Sequence, residues 1–376
     1  MDWNGNQRRV YLLAIVMLVA AIALVCSWFL WLKPKAVPSG AISSQSPGIT
    51  AEPSAAPGAD VQTVAGTEGE SQSSVQETQT AQKVSTIVYY QDNEGYLVPV
   101  MCSVPKEDGI AKATLALMVK NTANDMQAAR LGLRTVLPEN TQIDLDISGG
   151  LAKIDLSREV LNLPDAGAEL NMVDAVVGAL TEFDTVKEVA FLIGGEEMET
   201  LTHGTKISGR FTRGDINLEA SEDVVNVSDS NPVTLYFPSE VGTVVVPVTR
   251  MVYSKPDINT AVLELAKGPS DLGALESVVP PGCGLIDVSV ENGVAKLNFT
   301  KEFAELALNS DGGRMAMKAL VLTCVQFDGV EKVEIYVEGE QYDPGKDTLS
   351  VPTFANVEED IVYEAIQTQA SMLISP

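Results

Sequence analysis

The chain contains one motif twice, and this duplication constrains its fold more than any other feature. The stretch Gly150–Ser157 (GLAKIDLS) has a second copy at Gly293–Thr300 (GVAKLNFT). Both copies alternate apolar and polar residues, which is the period-2 pattern of a half-buried strand. Each copy follows a glycine-containing turn, and Asn292-Gly293 between two alternating runs is a strong hairpin signal. The sequence therefore predicts a tandem repeat with a β-hairpin in each copy.

The similarity extends to both sides of the hairpin. Pro99 and Pro247 occupy the same place in two apolar runs, which indicates edge strands because proline donates no ladder hydrogen bond. Two helices are predicted in each copy, and Asp257 is the expected N-cap of the best-marked one. The apolar stripes of the later helices align with each other and end at Phe183 and Phe327, which we expect to be buried.

Each copy thus has the pattern of two strands, a helix, a hairpin, a second helix and a last strand. The stable arrangement for such a pattern is an α+β domain in which two helices cover one face of a small mixed sheet. We expect two separate cores, near residues 84–205 and 232–340. The predicted segments are a cytoplasmic tail and transmembrane anchor (1–35), a disordered linker (36–83), a first domain (84–213), a linker (214–231), a second domain (232–356) and a C-terminal tail (357–376).

The N-terminal region contains the run Tyr11–Leu32, which has no charge and no proline. Its length suffices for a membrane-spanning helix, which needs about 20 apolar residues. A cleaved signal peptide and a lipoprotein signal at Cys26 are the alternatives, but Val25 is a poor residue before a lipidated cysteine. We favour an uncleaved single-pass signal anchor at the cell membrane, with the N-terminus cytoplasmic and the body extracytoplasmic. The linker after it would span roughly 35–40 Å as a flexible coil.

The charge balance excludes one class of partner. The chain has 25 Lys and Arg residues against 51 Asp and Glu residues, a formal net charge of −26. Such a protein repels nucleic acids, so nucleic-acid binding is excluded.

A search for catalytic or metal-binding residues gives none that we predict as a site. His203 is the single histidine and lies in a loop, where a solvated side chain is the favoured interpretation. Asp155 in the repeated strand is replaced by Asn298 in the second copy, so its polarity is interpreted as structural. Three acidic runs could suggest a Ca²⁺ site or a glycosidase carboxylate pair, but none has the ligand spacing of a Ca²⁺ loop, and solvated faces are favoured. These runs are Glu196-Glu197-Glu199, Glu219–Asp223 and Glu358-Glu359-Asp360.

The cysteines indicate neither a metal cluster nor a disulfide framework. Cys324 lies on the apolar stripe of the second helix and is expected in the core. Cys102 lies on a strand at the position that corresponds to Arg250 in the second copy. A Cys283–Cys324 bridge is conceivable in an oxidising compartment, and the disulfide state stays open.

Two tandem copies of the Pro-containing strands and of the Gly-(Leu/Val)-Ala-Lys-(Ile/Leu)-(Asp/Asn)-(Leu/Phe)-(Ser/Thr) hairpin, behind an apolar N-terminal segment, resemble the GerM sporulation and germination family. The resemblance covers about residues 84–356. It implies an endospore-forming bacterium, a domain similar to ring-building motifs, and a non-enzymatic assembly role in the envelope between mother cell and forespore.

The leading hypothesis is therefore a membrane-anchored assembly protein without cofactor or metal. Its expected partners are proteins of the sporulation channel or envelope complex, and possibly further copies of the chain. The alternative hypothesis is a protein that binds or modifies the peptidoglycan of the spore cortex. An enzyme would need titratable groups that converge in a cleft, whereas the repeats duplicate apolar and turn positions.

Overall fold

The computed structural model describes residues 82–106, 109–219, 229–240, 243–306, 308, 310–345 and 348–362. The predicted anchor Tyr11–Leu32 and the linker up to residue 81 lie outside these ranges. No helix within the described ranges is long and apolar enough to cross a membrane.

Within the described ranges, the first repeat has five strands and three α-helices. An antiparallel hairpin, β1 and β2, is followed by α1 and α2, the hairpin β3–β4, the long helix α3 and strand β5. The elements are β1 (Lys83–Gln91), β2 (Leu97–Pro105), α1 (Ile110–Leu117), α2 (Thr122–Arg130), β3 (Ile143–Ser148), β4 (Leu151–Leu156), α3 (Ala166–Thr181) and β5 (Glu188–Ile193).

The second repeat follows the same order without a counterpart of α2. Helix α2 was not predicted; it lies where the first copy has extra residues, and Asn121 caps its N-terminus. The elements are β6 (Leu218–Glu219), β7 (Asn231–Pro238), β8 (Val245–Val252), α4 (Ile258–Ala266), β9 (Leu285–Glu291), β10 (Val294–Phe299), α5 (Asp311–Val325), β11 (Lys332–Val337) and β12 (Glu340–Tyr342).

The repeated motif forms a hairpin strand in each copy, as predicted, and this strand lies inside a mixed sheet. Strand β4 pairs antiparallel with β3 and parallel with β5, and β10 pairs in the same way with β9 and β11. The hairpin turns have positive φ at both central residues, 58° and 87° at Gly149 and Gly150 and 52° and 82° at Asn292 and Gly293. Two such angles are what the tight type I′ turn requires, which explains the residues at these positions.

The sheets differ from the prediction in one respect. The strands of each copy do not form one sheet, because the hairpins β1–β2 and β7–β8 belong to sheets separate from those of the repeated motif. Helices α1 and α3 pack against both β1 and the sheet of β3–β4–β5, so they connect the two sheets of the first copy. The outer side of β2 is used for a contact with the other repeat.

The expectation of two separate cores was wrong. The buried apolar residues of both repeats form one continuous cluster, although no sheet ladder among the described strands runs through both copies. Strands β2 and β8 contact each other, and most residues of both are buried. Burial on both faces follows because helices cover one face of each hairpin and the other repeat covers the opposite side.

Phe183 and Phe327 are only partly buried, contrary to the prediction. Helices α3 and α5 end two residues before them, at Thr181 and Val325, so each ring lies in the turn that follows the helix. By contrast, Cys324 is fully buried on α5 as predicted, and burial raises the pKa of its thiol to about 12. The three described cysteines, Cys102, Cys283 and Cys324, are unbridged.

Candidate functional site

The polar residues of the repeated motif stabilise turns of the fold. The Asp155 carboxylate accepts a hydrogen bond from the Gly195 backbone N–H at 2.9 Å. Asn298 accepts the equivalent bond from Gly339 at 3.0 Å. A carboxylate and an amide oxygen serve equally well here because each only has to accept a bond from a backbone donor. The geometry therefore agrees with a structural role for Asp155.

The next polar pair of the motif, Ser157 and Thr300, also stabilises the fold. The Ser157 hydroxyl accepts a bond from the Gln142 N–H at 2.8 Å, and the Thr300 hydroxyl accepts one from the Gly284 N–H at 3.0 Å. Both bonds fix the chain where it enters the β3 or β9 strand. The duplicated polar positions are thus occupied by contacts within each repeat.

His203 is exposed, as predicted, but it belongs to a loop that is held in place. Its ring Nε2 lies 2.8 Å from the Leu163 carbonyl oxygen, and its backbone N–H donates to Glu169 at 2.7 Å. Glu169 is buried on α3 and also accepts from the Thr205 N–H at 3.2 Å. Burial alone would raise the pKa of Glu169, but these backbone donors lower it below its usual range. The Glu169 carboxylate therefore anchors the His203 loop.

The interpretation of the acidic runs as solvated faces is only partly correct. Glu196, Glu197 and Glu199 are exposed or nearly so, and no group of His, Cys, Asp and Glu in the described ranges could hold a metal ion. Glu219, however, is not on a solvated face. It is buried and forms an ion pair with Arg250 of β8, with O···N distances of 2.5 and 2.7 Å. The acidic run was wrongly interpreted as solvated because the partner of Glu219, Arg250, lies far away in the chain.

Every guanidinium nitrogen of Arg250 has a hydrogen-bond partner. Besides Glu219, its guanidinium donates to the Glu264 and Gly268 carbonyl oxygens, each at 2.8 Å. The Ser270 N–H donates to the second Glu219 oxygen at 2.6 Å. A buried ion pair with this many hydrogen bonds is one that the fold can tolerate without water.

Two asparagines join the repeats where the prolines of β2 and β8 lie. The Asn217 side chain accepts from the Leu97 N–H and donates to the Leu97 and Pro247 carbonyl oxygens, each at 2.7 Å. The Asn356 side chain accepts from the Val245 N–H at 2.9 Å and donates to the Val245 and Pro99 carbonyl oxygens at 2.8 and 3.1 Å. Each asparagine thus binds the strand of one repeat and the proline carbonyl of the other.

These contacts are reciprocal, as in a twofold-symmetric dimer. The backbone N–H of Thr249 donates to the Asn217 carbonyl at 3.2 Å, and that of Met101 donates to the Asn356 carbonyl at 2.7 Å. Strand β6 after the first repeat pairs parallel with β8, and Val357 after the second repeat forms a parallel bridge with Met101 of β2. The segment that follows each repeat therefore contributes to the sheet of the other repeat.

A sequence signal for this contact exists and was missed. The segments Asn217-Leu218-Glu219 and Asn356-Val357-Glu358 repeat the pattern Asn-(Leu/Val)-Glu. They fall at the edges of the predicted domains, in the predicted linker 214–231 and around the start of the tail 357–376. The prediction of edge strands is confirmed for β2, which contains Pro99, but it is wrong for β8, which contains Pro247 and lies between β6 and β7. The other half of the molecule covers the edge of β2.

A cleft with a volume of about 750 Å³ lies between the two repeats. Helix α3 contributes Asp174, Val177 and Gly178, and helix α5 contributes Leu322 and Val325. We call the segment that follows each repeat and joins the sheet of the other repeat an exchanged segment. The remaining wall includes Pro99, Pro247, four aromatic residues and residues of the two exchanged segments, among them Tyr89, Phe211, Arg213, Asp215, Tyr236 and Phe354.

The Arg213 guanidinium in this cleft is paired. It donates to Glu182 at 2.5 Å and to the Tyr89 hydroxyl at 3.1 Å, and the same hydroxyl donates to Glu182 at 3.0 Å. Burial raises the pKa of Tyr89, so this hydroxyl stays protonated and remains a donor. The Tyr89 ring lies against Gly178, where a Cβ atom would approach its Cζ to 2.7 Å. Glycine is therefore required at position 178 for the ring to occupy this place.

Asp174 differs from Glu182 because it has no partner. No hydrogen bond or ion pair joins its carboxylate to another residue in the described ranges, and burial raises its pKa to about 6. Aromatic faces beside a free carboxyl group are features of a binding cleft.

Comparison with known proteins gives a consistent result. A family model described as Germane, sporulation and spore germination, matches residues 87–199 and 234–343, which together are more than half of the chain. The spore germination protein GerM of Bacillus subtilis (strain 168) is 29% identical over 287 residues, which cover 73% of this chain and 76% of the relative. The solved structure of the tandem GerMN domains of the sporulation protein GerM from Bacillus subtilis matches with a TM-score of 0.58 and 28% identity, and covers 73% of this chain and 99% of that structure.

Proposed function

Because the chain belongs to the Germane family of sporulation and spore-germination proteins, we propose that it is a non-enzymatic, membrane-anchored assembly protein of sporulation. Its two repeats would contribute to a ring or channel-associated complex in the envelope between mother cell and forespore. The run Tyr11–Leu32 would hold the protein in the membrane, with the repeats on the extracytoplasmic side. Other proteins of that complex, and further copies of the chain, are the proposed partners.

One observation carries the proposal. The polar residues that both repeats share do not converge on a cleft; Asp155 and Asn298 each bind a turn of their own repeat. Duplicated residues with such roles maintain two copies of a scaffold, whereas an enzyme needs titratable groups that act on one substrate.

The proposed assembly surfaces are the outer edges of β3 and β9. Both strands lie at the end of their sheets, with one side of the backbone unpaired by any described strand. Ile147 on β3 and Val290 on β9 are exposed at 37% and 42%, and Ile286 on β9 at 50%. Ile147 and Val290 precede the hairpin turn at equivalent places in the two repeats. An edge with exposed apolar residues is able to pair with an edge of another domain.

The acidic charge of the chain sets a condition on this assembly. Asp144 and Asp146 lie on β3, and Asp287 and Glu291 lie on β9. Like edges would repel each other, so the partner edge should carry basic residues.

Cross-linking of the full-length protein in sporulating cells, with mass spectrometry of the attached proteins, tests the proposal. The double variant Ile147→Lys, Val290→Lys should lose the cross-linked partners and sporulate poorly while remaining folded. The matched control Leu272→Lys changes a leucine that is 73% exposed and lies outside both edge strands, and it should behave like the wild type.

Two outcomes would contradict the proposal. One is an unchanged set of cross-linked proteins in the folded double variant. The other is hydrolytic activity of the purified protein on cortex peptidoglycan that is lost when Asp155→Asn or His203→Gln is introduced. That second result would favour the cortex-modifying alternative.

A further inference from the structure

The cleft between the repeats is asymmetric in charge although both repeats build it. Asp174 and Gly178 on α3 and Glu182, the C-cap of that helix, follow one another at intervals of one helical turn and therefore share a face. The equivalent residues of the second repeat are Lys318 and Leu322 on α5 and its C-cap Gln326. Of these, Leu322 lines the cleft and adds apolar surface.

Among the charged groups of the cleft, Asp174 is the partly buried carboxyl group that remains available. Arg213 is neutralised by Glu182, with which it shares the Tyr89 hydroxyl. Asp215 is exposed at the rim. Asp174 is half-buried and is joined to no other residue of the described ranges by a hydrogen bond or ion pair, and desolvation is the cause of its raised pKa, so no cation within those ranges compensates it.

The walls beside Asp174 suit an apolar stem. Val325 contributes partly exposed aliphatic surface. The rings of Phe211, Tyr236 and Phe354, which are also partly exposed, contribute aromatic surface. The volume of about 750 Å³ falls in the range of small-ligand sites, roughly 300–1,000 Å³. An ammonium group can gain from aromatic faces as well as from a carboxylate.

We propose that this cleft binds an alkylammonium group, with Asp174 as its counter-ion and with the apolar stem against the partly exposed rings of Tyr236 and Phe354. The group would be either the lysine side chain of a partner protein or a free aliphatic diamine, since both present the same chemistry. The strongly acidic chain favours a cationic ligand over an anionic one because its overall field attracts cations. This site is separate from the β3 and β9 edges, so it stands or falls independently of the assembly proposal.

Calorimetric titration of the detergent-solubilised full chain at pH 7.5 tests the inference. The probes are a blocked lysine flanked by glycines, its norleucine counterpart, and 1,5-diaminopentane. We expect the lysine peptide, the diamine or both to bind, and the norleucine peptide to bind at least tenfold more weakly because it has the stem without the ammonium group. Tighter binding of the peptide identifies a protein side chain as the source, and tighter binding of the diamine identifies a free amine.

The variant Asp174→Asn keeps the shape of the side chain and removes its charge. It should weaken binding of the cationic probe about tenfold or more while its thermal unfolding shows that it is folded. The matched control Asp184→Asn removes the same charge at an exposed position just after α3 and should change binding less than twofold. The proposal is overturned if neither cationic probe binds at millimolar concentration, if norleucine binds as well as lysine, or if Asp174→Asn binds like the wild type.

Discussion

Replacing Asn356 by alanine should loosen the contact between the two repeats. Asn356 is fully buried, and its amide makes three hydrogen bonds, two to Val245 and one to the Pro99 carbonyl. Alanine keeps the backbone but removes all three bonds at once. The Val245 N–H then loses the acceptor that the Asn356 side chain supplies in a place that water does not reach.

The magnitude follows from the number of bonds. A hydrogen bond within a protein contributes about 0.5–1.5 kcal/mol net, and a buried group left without its partner costs about 1–3 kcal/mol. We therefore expect Asn356→Ala to lower the free energy of unfolding by about 2–4 kcal/mol. In a domain of this size that corresponds to a decrease of roughly 5–15 °C in melting temperature.

Urea unfolding of the full chain measures this loss, and hydrogen exchange locates it. Exchange of the Val245 amide in β8 should become faster, because Asn356 is its acceptor. The control Asn259→Ala changes an exposed asparagine on α4 and should stay within about 0.5 kcal/mol of the wild type. Equal urea midpoints for Asn356→Ala and Asn259→Ala, or unchanged exchange at Val245, would refute the reasoning.

Three further predictions concern the core and the buried charges. Glu219→Gln should cost about 3 kcal/mol, measured by urea unfolding, because it removes the closer of the two carboxylates that pair with the buried Arg250 guanidinium and leaves Glu264 at 3.4 Å; a loss under 1 kcal/mol would contradict the ion-pair assignment. Phe299→Ala should cost about 3–5 kcal/mol, whereas Phe327→Ala should cost clearly less because its ring is partly exposed, and equal losses would show that both rings are core residues. The pKa of Glu169 is lowered in the folded protein, so its stabilisation is complete above the ordinary value of 4.5 and is lost as the pH falls below it; Glu169→Gln should flatten this acid-side loss in melting curves taken between pH 7 and 3, and an unchanged slope would exclude Glu169 as its source.

The sequence by itself determined the elements of each repeat. The alternation in Leu151–Leu156 and Val294–Phe299, the positive-φ turns before them and the Asp257 cap are local signals, and a local signal acts on residues close to it in the chain. The replacement of Asp155 by Asn298 also indicated a structural role, because chemistry that needs a proton donor would not allow it. Comparison of two copies within one chain made that inference possible.

Only the tertiary structure decided how the two repeats meet. Asn356 binds Pro99, and Glu219 binds Arg250, across long stretches of chain that no periodicity connects. The Asn-(Leu/Val)-Glu repeat is visible in the sequence, but its meaning depends on the β2–β8 contact, which brings the prolines of both repeats together. The unpaired carboxylate of Asp174 likewise becomes a feature only where α3, α5 and the two exchanged segments enclose it. A side chain's partners are set by packing between distant segments, and a sequence pattern specifies which residues can be buried but not what they will be buried against.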